Sequence, residues 1–410
     1  MTQAKRVFLV LEDGSVYPGL GFGGDPLGVD ELEPGAADMR SAGEVVFNTA
    51  MGGYHEVLTD PSYTGQLVVM TYPHIGNYGS LSDWSEVGPE DDEERRVKAA
   101  GFILRSVYRG PVPRGRMTLD SFLRDAGIPG ISDVDTRGLT LKLRDGGSLR
   151  GVIVAGLRAG AGAGGEPDVA AGGAPEARSL PEGELERVLE YLRAFPKMLG
   201  RNLIGTVGAS RVVEINPEGA PHIALLDCGS KANIIRELTS RGCRITVLPH
   251  TASAEEIAAA GADALLVSNG PGDPAVLDPQ IELLRGLVGK MPLFGICLGH
   301  QLLAHALGGK TEKMKFGHHG VNHPVRDERT RRVFVTSQNH GFTVSEGSLP
   351  DGASVWFRNA NDGSIEGIAD DGVRVYTAQF HPESAPGPQD SSWIFDSFLS
   401  HLKRHSEKGA

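Results

Sequence analysis

Phe294-Gly295-Ile296-Cys297-Leu298-Gly299-His300-Gln301 is the stretch on which the fold turns. An apolar run of strand type ends at Cys297, and a helix-like run, Leu302 to Leu307, opens almost at once. A side chain at such a strand-to-helix junction projects from the edge of a sheet, and Gly295 and Gly299 on either side permit a tight backbone. The helix N-terminus beside it favours an anion and therefore the thiolate, and Leu298 N–H is aimed where an oxyanion would form on attack. Cys228 and Cys243 have no comparable turn and read as small buried apolar residues.

Upstream of this turn, strands and helices alternate. Ile223–Leu226, Ile245–Leu248, Ala264–Val267 and Leu293–Ile296 read as strands. Lys231 to Arg241, Ala254 to Ala260 and Ile281 to Val288 read as the helices between them. That order predicts a mostly parallel sheet with helices on both faces, whose ligands bind beyond the carboxyl ends of the strands. Downstream, Val375 to Phe380 reads as a strand leading into His381-Pro382-Glu383. Residues two apart on an extended chain face the same way, and Pro382 biases His381 towards that conformation. Glu383 is thus placed to orient the imidazole, and a thiolate, a proton-shuttling histidine and an orienting carboxylate make up a triad.

The first part of the chain is sheet-rich. Val7–Leu11 is a strand closed by the Asp13-Gly14 turn, with Val16-Tyr17 returning as a hairpin. Glu44–Phe47 and the near-continuous apolar run Gln66–Tyr72 are further strands, and Thr118 caps a helix running to Ala126. Between 159 and 177 the composition falls to Ala, Gly, Pro and a few acids, which reads as a flexible insertion. A helical pattern resumes at Leu185-Val188-Leu189-Leu192. The expected organisation is a sheet-rich amino-terminal domain at 1–155, a linker at 156–220 and an α/β domain at 221–405.

A chain of 410 residues is long enough for two cores. Its 40 basic and 52 acidic side chains give a net charge of −12 and no basic stripe, which argues against a nucleic-acid partner. Three irregularly spaced cysteines argue against a disulfide framework and for a reducing, cytoplasmic setting. No apolar run approaches membrane-spanning length. Ser268-Asn269-Gly270-Pro271-Gly272 lacks the Lys-Ser/Thr of a phosphate-binding loop. His318, His319 and His323 lack the cysteine or carboxylate spacing of a zinc set, so no metal is expected there.

Three segments together resemble a class I, triad-type glutamine amidotransferase domain: Ser268-Asn269-Gly270-Pro271-Gly272-Asp273-Pro274, Gly295 to Gln301, and His381-Pro382-Glu383. The first half resembles the amino-terminal domain of carbamoyl phosphate synthetase small subunits. It does so through Phe47 to Tyr54, Leu58 to Tyr63, Thr71 to Asn77 and Ile131 to Arg137. Lys315 to Gly320 and Gln338 to Phe342 extend the match. The resemblance implies that Cys297, His381 and Glu383 hydrolyse L-glutamine through a thioester. It implies that Gly270, Gly272, Leu298, Gln301, Asn339, Gly341 and Phe342 bind the substrate, and that His318 and His319 lie on a structural strand-loop beside the active site. Ala50 stands where the family pattern often has a serine that contacts glutamine, so only backbone contact remains there.

The resemblance further implies no cofactor in this chain. A separate large subunit would take the ammonia through an internal channel and use ATP, magnesium and bicarbonate. The alternatives are a glutaminase serving another synthase, a γ-glutamyl peptidase and a non-catalytic scaffold.

Overall fold

The computed structural model describes residues 5–35, 39–89, 97–156 and 180–406. The Ala/Gly-rich stretch at 159–177 lies outside the described residues. Contacts divide the chain into two units, one of Met1–Phe47, Gly65–Ser80 and Ala99–Lys197, the other of Asn48–Thr64, Leu81–Lys98 and Met198–Ala410. The division is not a single cut in sequence. The second unit takes two short segments from the first half, and the helix Glu182–Ala194 belongs to the first.

In the first unit, Arg6–Leu11 and Val16–Gly23 form the expected hairpin around the Asp13-Gly14 turn. Arg6–Leu11 also pairs antiparallel with Leu149–Ala155, which closes a run of seven strands on itself. Alternation along the strands sends Val7, Leu9 and Leu11 into one cluster with Leu67, Ile103, Ile131 and Ile153. Phe8 and Val10 point the other way, against Val188, Tyr191 and Leu192 of the helix Glu182–Ala194. Thr118 caps the helix Leu119–Asp125 by accepting the Ser121 N–H.

The second unit is built on a ten-stranded sheet. Five adjacent strands are parallel, in the order Arg244–Pro249, His222–Asp227, Ala264–Val267, Leu293–Ile296 and Val375–Ala378. The expected parallel arrangement therefore holds for this half. Val213–Ile215 adds an antiparallel edge, and Ile365–Asp370, Val333–Val344, Thr311–Asp327 and Ser354–Asn359 extend the other side antiparallel.

Side chains alternate across the parallel strands. Ile223 and Leu225 pack with Ile234, Leu238, Phe395 and Phe398, while Ala224 and Leu226 pack with Leu284, Leu302 and Leu303. Burial on both faces explains why these strands are short continuous apolar runs. From His222–Asp227 the chain goes first to one neighbour and then crosses to Ala264–Val267 on the other side. The loops after these two strands, Cys228–Lys231 and Ser268–Asp273, flank that reversal, where ligand crevices form in open α/β sheets.

Candidate active site

Cys297 follows the strand Leu293–Ile296 and occupies the cap position of the helix Leu298–Ala306, with φ 54° and ψ −103°. A left-handed φ on a residue with a Cβ costs about 1–3 kcal/mol and persists only where its surroundings enforce it. Here Cys297 N–H donates to Ala378 O at 2.8 Å and Cys297 O accepts Gln301 N–H at 3.2 Å. The thiol donates to Asn339 O at 3.5 Å.

The tight backbone expected of Gly295 and Gly299 has a different origin. The left-handed residue is the cysteine itself. The glycines serve close packing: a Cβ on Gly299 would lie 2.1 Å from Val267 O, and one on Gly295 would lie 2.6 Å from Gly299 O.

His381 follows the strand Val375–Ala378 by three residues, and its backbone N–H donates to Ser337 O at 2.9 Å. Its Nδ1 donates to Glu383 Oε1 at 2.6 Å, but the chain reaches this contact through a turn, closed by Ser384 N–H donating to His381 O at 3.1 Å, and not through the extended conformation expected from the sequence. Both side chains are wholly buried. Burial acts to lower the imidazole pKa, but the Glu383 carboxylate and Cys297 raise it to about 10. Burial acts to raise the Glu383 carboxyl, but Lys231 and His381 hold it down at about 2. Cys228 and Cys243 are buried in the two apolar clusters of the sheet, and burial raises both thiols.

Lys231 was read from the sequence only as the start of a helix. In the structure its ammonium is buried and lies 3.0 Å from Glu383 Oε1. It also donates to Ser384 O, and Asn233 Nδ2 donates to Glu383 O. Burial acts to lower the Lys231 pKa, and Glu383, Glu86 and Asp60 together raise it. A cleft of about 470 Å³ opens beside Glu383, lined by Met51, Gly53, Glu56, Asn233 and Pro386 among others.

The residues assigned to glutamine by resemblance fall around this centre. Leu298 is the first residue of the helix after Cys297, where backbone N–H groups have no partner within the helix. Gln301 Nε2 donates to Phe342 O and to Gln379 Oε1, both at 2.9 Å. Asn339 Nδ2 donates to Asp60 Oδ2 at 2.9 Å, so its Oδ1 accepts from His319 Nδ1 at 2.9 Å. Asn269, in the loop with Gly270 and Gly272, accepts Lys231 N–H and donates to Ser62 Oγ. Gly272 has φ +100°, and a Cβ there would lie 2.6 Å from Arg201 O. Phe342 is buried with Lys313 Nζ 5.3 Å above its ring, and a Cβ on Gly341 would lie 3.0 Å from that nitrogen. Ala50 is buried and its N–H already donates to Asn48 Oδ1 at 2.7 Å, so the backbone donor is committed.

The three histidines weighed as a metal set separate. His319 turns to Asn339, while the His318 ring lies tilted at 41° to that of His323 with ring centres 4.9 Å apart. His318 instead gathers with His340 and Glu366, their donor atoms within 4.8 Å of one another. Its nitrogens lie 2.8 Å from Asp362 Oδ2 and 3.4 Å from Glu366 Oε1. Burial acts against protonation, but the two carboxylates raise the imidazole to about 9. In its protonated form the ring donates to both carboxylates, and the cluster is then held by ion pairs.

Comparison with known proteins accords with this layout. Residues 224–401 match the model of the class I glutamine amidotransferase family, and residues 9–153 match that of the carbamoyl-phosphate synthase small chain, CPSase domain. The carbamoyl phosphate synthase small chain of Methanopyrus kandleri is 42% identical over 402 residues, covering 98% of this chain and 100% of that one. Its counterpart in Bacillus caldolyticus is 43% identical over 403 residues and 98% of both chains. That of Methanocaldococcus jannaschii is 41% identical over 393 residues, covering 95% of this chain and 97% of its own. With such identity sustained along both parts of the sequence, the chain belongs to the carbamoyl phosphate synthase small-chain family.

Proposed function

We propose that this chain hydrolyses L-glutamine to glutamate and ammonia, with Cys297 as nucleophile, His381 as proton carrier and Glu383 as its orienting carboxylate. The observation that carries the reading is the left-handed Cys297 at a strand-to-helix turn, accompanied by the buried 2.6 Å contact between His381 and Glu383. Glu383 takes Nδ1, which leaves Nε2 as the nitrogen that exchanges protons with the reacting groups.

The thiolate adds to the side-chain amide carbon, and the C=O π electrons move onto oxygen. Leu298 N–H, at the helix start, and the Gly272 backbone stabilise that oxyanion. The C–N bond breaks as His381 gives its proton to nitrogen, releasing ammonia and leaving a glutamyl thioester. Neutral His381 then takes a proton from water. The hydroxide adds to the thioester, and collapse expels the thiolate and releases glutamate.

Gln301, Asn339, Gly341, Phe342, Gly270 and Gly272 form the glutamine pocket in this reading, with Ala50 contributing packing in place of a hydroxyl. In this reading the glutaminase domain is residues 221–405, and the bonds between Asp60 and Asn339 and between Ser62 and Asn269 support adding the segment that carries them. The amino-terminal domain and the names of the relatives support a large-subunit partner that makes carbamoyl phosphate from the ammonia. ATP, magnesium and bicarbonate are used on that partner. No helix among the described residues is long and apolar enough to cross a membrane.

Glutamate release, measured with and without a cognate large subunit, tests the reading. Weak activity alone and strong stimulation by the partner are expected. Cys297→Ser should abolish glutamine-dependent carbamoyl phosphate synthesis and leave synthesis from ammonium salts intact. Loss of both would overturn the division of labour, and strong partner-independent hydrolysis would point to a free-standing glutaminase.

A further inference from the structure

The helix Ala232–Ser240 starts without a side-chain cap of its own. Lys231 occupies the cap position in extended backbone and makes no side-chain cap bond. The exposed N–H groups of a helix start need acceptors, and a carboxylate also suits the positive end of the helix dipole. Both are supplied by Glu86, which lies 147 residues before Asn233 in the chain. Glu86 O accepts Ala232 N–H at 3.2 Å, and its carboxylate accepts Asn233 N–H at 3.1 Å and Arg236 Nη1 at 2.9 Å. Arg236 closes the arrangement by donating to Ser85 O at 2.9 Å. Glu86 N–H donates in turn to Thr59 Oγ1 at 3.0 Å, and the Glu86 side chain is fully buried.

The cap binds Ala232 and Asn233 directly, and Lys231, the residue before them, has its N–H held by Asn269; Lys231 and Asn233 are the two residues that hold Glu383. Lys231 pairs with its Oε1, and Asn233 Nδ2 donates to its backbone carbonyl. We propose that Glu86 is a positioning residue for glutamine hydrolysis: it sets the first helical turn, hence Lys231 and Asn233, and through them the carboxylate that orients His381. The inference rests on the glutaminase reading of Cys297, His381 and Glu383.

The charged groups facing Glu86 are Lys231, Arg236 and Glu383. Burial pushes its carboxyl up to about 7, with Lys231 and Arg236 pulling against that and Glu383 adding to it. Glu86 therefore changes charge in the neutral range, and its ionised form shares the Lys231 ammonium with Glu383. A side chain that only stabilised the fold would change the fraction of intact enzyme and leave turnover per intact site alone. A positioning residue lowers kcat and spares KM, because none of the residues assigned to glutamine bonds to Glu86.

The test uses the full chain with its large subunit, comparing wild type, Glu86→Ala, Glu86→Gln and Cys297→Ser. Glutamate release is followed from about pH 6 to 9, a range that brackets the neutral region. Active sites are counted by glutamine-protected alkylation of Cys297. Glu86→Ala is expected to lose roughly ten- to a hundredfold in kcat per site, the scale of a displaced catalytic group, with KM changed by less than about twofold. Glu86→Gln keeps an acceptor for Asn233 N–H. It should recover most of that turnover while losing the wild-type inflection in kcat near neutral pH.

Turnover per site in Glu86→Ala within about twofold of wild type would overturn the proposal, as would a loss confined to KM. Should Glu86→Ala fail to fold, Glu86→Gln decides: a profile identical to wild type rejects the role, and a missing inflection supports it. An inactive wild type or an active Cys297→Ser would instead reject the glutaminase reading, and this inference with it.

Discussion

Lys231 and Glu383 meet in a 3.0 Å ion pair with side-chain exposures of 2% and 0%. The same Glu383 oxygen accepts from His381 Nδ1 at 2.6 Å. One carboxylate oxygen is therefore shared between a permanent cation and the imidazole. The ammonium helps keep Glu383 ionised in a place where burial alone would protonate it.

Removing the lysine should leave a buried carboxylate with one partner fewer. Lys231→Met is expected to cost roughly 3–5 kcal/mol, the range for breaking a buried pair from one side. The double variant Lys231→Met/Glu383→Gln should be more stable than Lys231→Met, because the uncompensated charge is gone. Urea unfolding of the three proteins checks this. Equal midpoints for the single and double variants would show that the pair is not what Lys231 contributes.

The His381–Glu383 contact should also shape stability against pH. The imidazole is raised from 6.5 to about 10, so its contribution is complete below about pH 6.5 and is lost as pH climbs towards 10. The Glu383 carboxyl is lowered from 4.5 to about 2, so its contribution is complete above about pH 4.5 and is lost as pH falls towards 2. The pair should stabilise the fold most between those limits. In thermal melts, wild type should lose more Tm than His381→Ala between about pH 6.5 and 10. Parallel curves would mean that the imidazole is not held protonated.

The parallel half of the second unit was legible because each strand is a short apolar run buried on both faces. Ala264–Val267 and Leu293–Ile296 were read to the residue. The antiparallel half was not. Thr311–Asp327 is a 17-residue strand that carries two lysines, three histidines and Asn322. Its register shifts between Lys313 and His318 and again between Gly320 and His323, which breaks the period of two.

Lys231 carried no local signal for a different reason. Its burial depends on Glu383, Glu86 and Asp60, which lie far away in sequence, and beside Ala232 it looks like an ordinary helix start. The Leu58–Tyr63 segment was informative only through family resemblance. The structure supplies the physical reason, since Asp60 holds Asn339 and Ser62 holds Asn269.

Gly272 joins backbone conformation to the proposed oxyanion site. Its φ of +100° is strained for any residue with a Cβ, and the added carbon would sit 2.6 Å from Arg201 O. Arg201 O also accepts Asp273 N–H at 2.9 Å, and Asp273 in turn accepts Gly200 N–H. The loop therefore cannot yield at this point without losing those bonds. Gly272→Ala should displace the loop while leaving Cys297 and His381 in place. The expected result is a fall of about tenfold to a hundredfold in kcat/KM for glutamine, the scale associated with a misplaced catalytic group. Alkylation of Cys297 by iodoacetamide, which needs the thiolate and not the loop, should proceed at a rate near that of wild type. If alkylation slowed in step with kcat/KM, the substitution would be acting on the nucleophile, and the loop would have no separate part in stabilising the oxyanion.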